Sequence, residues 1–496
     1  MTDLNELVGA RKRKLEHLIQ RGVPAYPYRF DFTHRLAGVH AAFAAATAED
    51  SPSEVAVCGR LISLRDHGKT AFAHLEDATG RLQVYLRGDI LGAEAFAGLQ
   101  DLDVGDFAGV LGPVFRTRTG ELTVKAKSVE LLAKSLRPMP EKWHGLKDVD
   151  TRFRNRALDL AANPEVRKIF ETRTRVVSAI RRCLDALGYF EVETPILQPV
   201  YGGADATPFT TWYESLKATN YLRISNELYL KRLLAGGLDR VYEFSKDFRN
   251  EGLDRTHQPE FTLLELYEAY TDYHGMMALT ETLFREAAVA ARGEPALTYQ
   301  GMPLDFAAPW PRIPFVPALA AKLGFDPLGA TVDALRLAAE QAKVPDAGRL
   351  TRPKLLDKLF SVLVQDGIAG PAFVVDHPLE LTPLAKANRS DPRLAERFEP
   401  VVAGMELGNA FSELNDPLEQ RRRFEAQAAL RAQGDAEAQP LDEDFLAVLE
   451  LGVPPAGGLG IGIDRLVMLA CDAPTIREVI LFPQLRPESP PEKTGA

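Results

Sequence analysis

The chain has 496 residues, 46% of them apolar and 26% charged, a balance that fits a globular protein of two or three domains. No apolar run approaches the roughly 18 residues of a membrane-crossing helix, and MTDLNELVGARKRK at the N-terminus has no secretory apolar stretch, so a cytoplasmic protein without a membrane partner is expected. The formal net charge of −10 excludes bulk attraction as the means of holding nucleic acid, yet residues 1–147 carry 20 Lys/Arg against 18 Asp/Glu while the remainder carries 39 against 51. The acidic larger part suits a cationic ligand or a metal, and the near-neutral smaller part leaves room for a local nucleic-acid site.

In chain order, residues 3–21 read as a charged helix with Leu4, Leu7, Leu15, Leu18 and Ile19 as its apolar positions. The RKRK at 11–14 has two readings, a phosphate contact or a solvated helix face. The first of the three cysteines, Cys58, is far from Cys183 and Cys471, which argues against a disulfide framework or a cysteine zinc site. From about 54 to 133, five short strand-like runs alternate with turns, EVAVCGRLISL first and ELTVKAKSVELL last, predicting a small barrel. SLRPMPEKWHGLKD is a polar, proline-containing linker. PEVRKIFETRTRVVSAIRRCLDALG, 164–188, predicts a long helix closed by Gly188. Beyond it helix and strand signals mix, and residues 316–366 read as a helical insertion.

VYEFSKDFRNEG and PEFTLLELYEAY predict a hairpin. By the two-residue period, Arg249 and Glu251 share one face of the first strand, and Phe261, Leu263, Glu265 and Tyr267 share one face of the second. That surface offers a guanidinium for an oxygen pair, a ring for a stacked base and a carboxylate–phenol pair. The plain alternative is a half-exposed hairpin with surface ion pairs. GGLGIGIDRLVML, 457–469, sets four glycines before Arg465 at a helix start, where close backbone approach and an anion contact are both expected. No Walker-type phosphate loop and no clear dinucleotide fingerprint occurs.

LGYFEVETPIL with Pro195, FRNEG…HQPEFT and GLGIGIDR, in that order, resemble the three signature motifs of the class II aminoacyl-tRNA synthetases. RTRTGELTVKAKSVELL, LRPMPEKWHGLKD, YLRISNELYLKRLLAGG and ELGNAFSELNDPLEQ are similar to the bacterial lysyl-tRNA synthetases of subgroup IIb, over about 5–487. The resemblance implies an α+β protein: an N-terminal helical extension (1–50), an OB-fold anticodon-binding β-barrel (51–134), a linker (135–150), a class II catalytic domain on an antiparallel sheet flanked by helices (151–487) and a loose tail (488–496). It implies lysine–tRNA ligation, with L-lysine, ATP and tRNA(Lys) as substrates, Mg²⁺ as cofactor, and a homodimer built around the motif at Pro195.

Residue by residue, the resemblance assigns Glu227 and the Gly203 backbone to the lysine α-ammonium, and Arg249 and Asn409 to its carboxylate. Glu265, Tyr267 and Glu413 fall to the ε-ammonium. ATP is expected with adenine on Phe261 and with Arg249, Glu251, His257 and Arg465 around the phosphates. Arg249 and Arg465 are the expected catalytic pair, and Glu399 and Glu406 the metal ligands. Glu406 and Asn409 have opposite strand parity, so a bulge or turn between them is required. Phe72, Gln83 and Glu121 match anticodon readers, with barrel core as a second reading for Phe72. A buried ammonium needs paired acids, so three glutamates in these motifs support lysine. The rival in the subgroup is the aspartyl- or asparaginyl-tRNA synthetase branch, and an aspartate substrate needs cationic contacts instead. Thr256, Gln258 and Asn226 depart from the family pattern, as does TTWYESLKATN, which lacks the histidines common there. A silent paralog and a ligase that lysylates protein are the competing readings. The first predicts a missing motif arginine or metal glutamate, the second a missing barrel.

Overall fold

The computed structural model describes residues 4–139, 146–432 and 439–488. Residues 140–145 of the expected linker and 489–496 of the expected tail lie outside the described residues. The chain divides into two compact units, 1–147 and 148–496.

In the first unit, helix α1 (Leu4–Gln20) precedes a barrel of strands β1 (Glu54–Asp66), β2 (Thr70–Glu76), β3 (Arg81–Arg87), β4 (Phe107–Arg116), β5 (Leu122–Lys125) and β6 (Ser128–Ala133). The order β1-β2-β3-β5-β4 closes through β1–β4 pairing, and β6 adds to β4. The last of the five runs is thus two strands, divided at Ala126 and Lys127. Strict alternation drives closure: Ala71, Ala73, Leu75, Leu82, Val84 and Leu86 are buried inside, and the residues between them face out. Two of the four basic residues in RKRK are structural. Arg11 donates to the carbonyls of Val104, Ser135 and Arg137, and Lys14 pairs with Asp103.

The second unit is built on one sheet. Its strands are β7 (Phe190–Glu191), β8 (Arg240–Phe248), β9 (Glu260–Ala269), β10 (Arg312–Pro314), β11 (Ala372–Val375), β12 (Arg397–Val402), β13 (Met405–Glu406), β14 (Gly408–Ser412) and β15 (Ala456–Gly462). The order is β10-β11-β12-β14-β15-β9-β8-β7, with β13 on β12. The central pairs are antiparallel, and one parallel pair, β10–β11 or β7–β8, stands at each edge.

Helices α2 (Pro164–Ala186), α4 (Tyr273–Arg292) and α5 (Ile463–Cys471) cover one face; α3 (Glu227–Ala235) belongs to a separate cluster. Proline at the first turn of α2 and Gly188 at φ +81° beyond its end mark the helix limits. Val176, Ile180, Leu184, Met276, Leu283, Phe284 and Val467 meet Leu264, Leu266, Leu459 and Ile461 of the sheet in the main core. Three helices, Phe315–Leu323, Val332–Gln341 and Arg352–Leu363, have their own core around Leu319, Leu335, Leu355 and Phe360.

Candidate active site

Burying Leu264 and Leu266 under the helices turns Leu263, Glu265 and Tyr267 of β9 to the opposite face. There they pair in register with Gly462, Gly460 and Gly458 of β15. On the other side of β15, Asn409 and Phe411 pair with Gly460 and Gly458. The glycines are therefore a bare strand between two rows of side chains rather than a phosphate loop. A Cβ on Gly458 would lie 1.9 Å from Glu413 Oε1 and 2.5 Å from the Tyr267 ring. The space above this floor is a cavity of about 370 Å³.

Three acids converge on it. Glu227, Glu265 and Glu413 all line the cavity and all are buried. Glu265 accepts from Ser225 Oγ at 2.8 Å and from the Tyr267 hydroxyl at 3.3 Å. Burial, then the charges of Asp247 and Glu227, push its carboxyl well above the usual range. Burial likewise raises Glu227, and it drives Glu413 up to about 8 against the pull of Lys231. Among the described residues Glu413 Oε2 is ion-paired with Lys231, while its Oε1 has no hydrogen-bond partner and remains open to a further donor. Gly203, at φ +87°, closes this end of the cavity; a Cβ there would meet Ser225 Oγ at 2.8 Å.

The other end is basic. The Arg249 guanidinium lies 5.1 Å over the Phe261 ring and donates to the Ile224 carbonyl. Arg465, in the first turn of α5, donates to the Glu406 carbonyl at 2.6 Å and to His257 Nε2 at 2.7 Å. Since arginine only donates, Nε2 accepts and Nδ1 carries the hydrogen given to Asp254 at 2.8 Å. Glu251 is exposed at the rim. The sheet break at Leu407, between β13 and β14, resolves the parity conflict, so both Glu406 and Asn409 line the cavity.

Glu399 stands apart from the cavity wall: it pairs with Arg397 at 2.5 Å and approaches His377 at 3.5 Å. Burial opposes ionisation there, but Arg397 and His377 bring it down to about 2. Burial and the charge of Glu399 raise Glu406 to about 7. Two mutually repelling carboxylates fit a hard divalent cation. Among the described residues no group of three or more His, Cys, Asp or Glu would hold one unaided, so phosphate oxygens would have to complete its shell.

The family model for class II tRNA synthetases (D, K and N) matches residues 148–486, and that for the OB-fold nucleic acid binding domain matches 55–132. The chain is 50% identical to a lysine–tRNA ligase of Moorella thermoacetica, each chain covered over 98%. It is 51% identical to one of Roseiflexus castenholzii, over 98% of this chain and 99% of the relative, and 46% identical to one of Enterococcus faecalis, over 98% of both. The chain belongs to the class II lysine–tRNA ligase family.

Three departures from that family's pattern have structural partners here. The Thr256 carbonyl accepts from Arg465, Gln258 Oε1 accepts from the Gln484 amide, and Asn226 donates to Glu243 at 2.9 Å. The family's anticodon candidates share the outer face of the barrel. Phe72 is half-buried and stacked on Tyr85 at 4.7 Å, outside the barrel core. Gln83 donates to Glu121 at 2.7 Å, and His74 meets the same carboxylate at 3.0 Å.

Sequence reasoning missed Ser225, Lys231, Arg397 and Asp464. Arg397 donates to Asn409 at 2.8 Å and lines the cavity. Asp464 accepts from Arg173 at 2.5 Å and from the Thr262 amide at 2.6 Å, tying α2, β9 and α5 together. Only Lys231 had a readable signal, its i+4 spacing from Glu227, which becomes a contact because the segment folds as α3.

Proposed function

We propose that this chain activates L-lysine with ATP to lysyl-adenylate and pyrophosphate, then transfers lysine to the 3′ end of tRNA(Lys). What carries the reading is the convergence of three buried acids and a phenol on one cavity whose other end is basic. A guest with two ammonium groups and a carboxylate satisfies both ends; an uncharged side chain leaves a buried carboxylate unpaired.

In this reading Glu227 and the Gly203 backbone take the α-ammonium, and Glu265, Tyr267 and Glu413 take the ε-ammonium. Arg249 and Asn409 face the α-carboxylate, and Arg249 also meets the α-phosphate of an ATP whose adenine stacks on Phe261. Glu251, His257 and Arg465 attend the phosphates. The lysine carboxylate attacks the α-phosphorus in line, and pyrophosphate departs with the electron pair of the broken bond. The terminal tRNA hydroxyl then displaces AMP. No side chain is assigned as general base; orientation and charge neutralisation by Arg249 and Arg465 carry the rate. Mg²⁺, held by Glu399 and Glu406 with phosphate oxygens, would add positive charge to the triphosphate.

The barrel face with Phe72, Gln83 and Glu121 is the proposed anticodon reader. A homodimer is proposed around β7, supported by exposed Phe190, Leu238 and Tyr270 along one depression beside that edge strand. The deciding experiment is ATP–pyrophosphate exchange screened over the twenty standard amino acids. Lysine alone should support it; exchange with another amino acid and none with lysine overturns the reading.

A further inference from the structure

Lys231 is a buried cation for which the reaction just described has no use. It lies on α3, one turn after Glu227, and is 1% exposed. Its Nζ donates to Glu227 Oε1 at 2.6 Å and forms an ion pair with Glu413 Oε2. The Phe411 ring lies 5.6 Å away and shields it. A single ammonium therefore bridges two of the three acids, one expected at each end of the substrate. The third acid differs: among the described residues Glu265 makes no ion pair and meets only the hydroxyls of Ser225 and Tyr267. Ser225 also accepts from the Glu227 amide at 3.1 Å, so the three acids form one connected network.

We infer that Lys231 is a positioning residue for lysine selection: its ammonium binds Glu227 and Glu413 to each other, leaving Glu265 as the acid whose charge only the guest's ammonium answers. The inference rests on the lysine reading of the cavity. Removing one partner of a buried ion pair leaves an orphaned charge, so without Lys231 the two acids would repel, retain a proton and lose their separation. Asp205, Glu265, Arg397, Lys386 and the Tyr267 phenol also act on Glu227 or Glu413. None of these is placed between the two carboxylates as Lys231 is.

The test is lysine-dependent pyrophosphate exchange by the full chain and by Lys231→Met and Lys231→Arg, with melting temperatures to verify folding. Lys231→Met should raise the lysine KM about tenfold or more while the ATP KM stays within about twofold. Its lysine-KM pH midpoint should also move up by about one unit, because acids without their cation hold protons to higher pH. Lys231→Arg keeps the charge and so the midpoint, but its fork cannot bridge both carboxylates through one nitrogen, so the lysine KM should rise about fivefold. A folded Lys231→Met with an unaltered lysine KM and midpoint overturns the inference, as does a parallel rise in both KM values with no pH shift. Should Lys231→Met not fold, Lys231→Arg decides, and an unchanged lysine KM there refutes it. No lysine-dependent exchange by the unaltered chain would instead sink the functional reading itself.

Discussion

Glu413 and Gly458 show how closely single residues are coupled at the floor of the cavity. Glu413 occupies the space that a Gly458 side chain would take, 1.9 Å from its Cβ position. Gly458→Ala should therefore displace the carboxylate and cut lysine activation at least as far as Glu413→Gln does, measured as the lysine KM in exchange. For Glu413→Gln, loss of one partner of a buried pair, about 3–5 kcal/mol, corresponds to a lysine KM more than a hundredfold higher, with ATP binding preserved. A normal lysine KM in that variant would refute the assignment of Glu413. Titration adds a third expectation. Burial raises the Glu413 carboxyl to about 8 even against its ion pair with Lys231. Below that pH the free protein therefore binds a proton there, and a bound ammonium demands the ionised form. Lysine binding then releases a proton, so the lysine KM should fall as pH rises from about 6.5 to 8 and level above it. A pH-independent KM over that window would contradict the assignment.

At the scale of elements, the cavity depends on where strands stop and which helix is tied to them. The interruption at Leu407 turns Glu406 and Asn409 toward one space although strand parity sets them apart. Asp464 fixes the start of α5, and with it Arg465, by accepting from Arg173 on α2 and from the amide of Thr262 on β9. Asp464→Asn sets an amide donor against that guanidinium and leaves the charge uncompensated. A loss of about 3–5 kcal/mol in denaturant unfolding is expected, together with weaker ATP binding. Unchanged unfolding would mean the tie carries no load. The hairpin of VYEFSKDFRNEG and PEFTLLELYEAY was legible from residue spacing, as was the long helix at 164–188. However, β8 ends at Phe248, so Arg249 and Glu251, expected on one strand face, lie in the connection beyond it. The division of the last barrel run was not, because a two-residue break leaves the hydrophobic pattern nearly intact.

For the whole molecule, the two compact units predict separable effects. Phe72 stacks on Tyr85 outside the barrel core, so Phe72→Ala should lower tRNA charging at limiting tRNA while pyrophosphate exchange stays unchanged. An equal loss in both assays would assign Phe72 to stability instead. By itself the sequence determined the two-part organisation and the order of the three motifs, because hydrophobic period and residue type are local properties of the chain. Most of the side chains around the cavity were expected from the family resemblance, and Ser225, Arg397 and Asp464 were not. Only the tertiary structure decided that Lys231 lies between Glu227 and Glu413, that Arg397 holds both Glu399 and Asn409, and that the glycines of β15 form a floor. Those outcomes depend on which strands become neighbours in the sheet. That choice is made by the packing of distant segments over one core, which no spacing along the chain encodes.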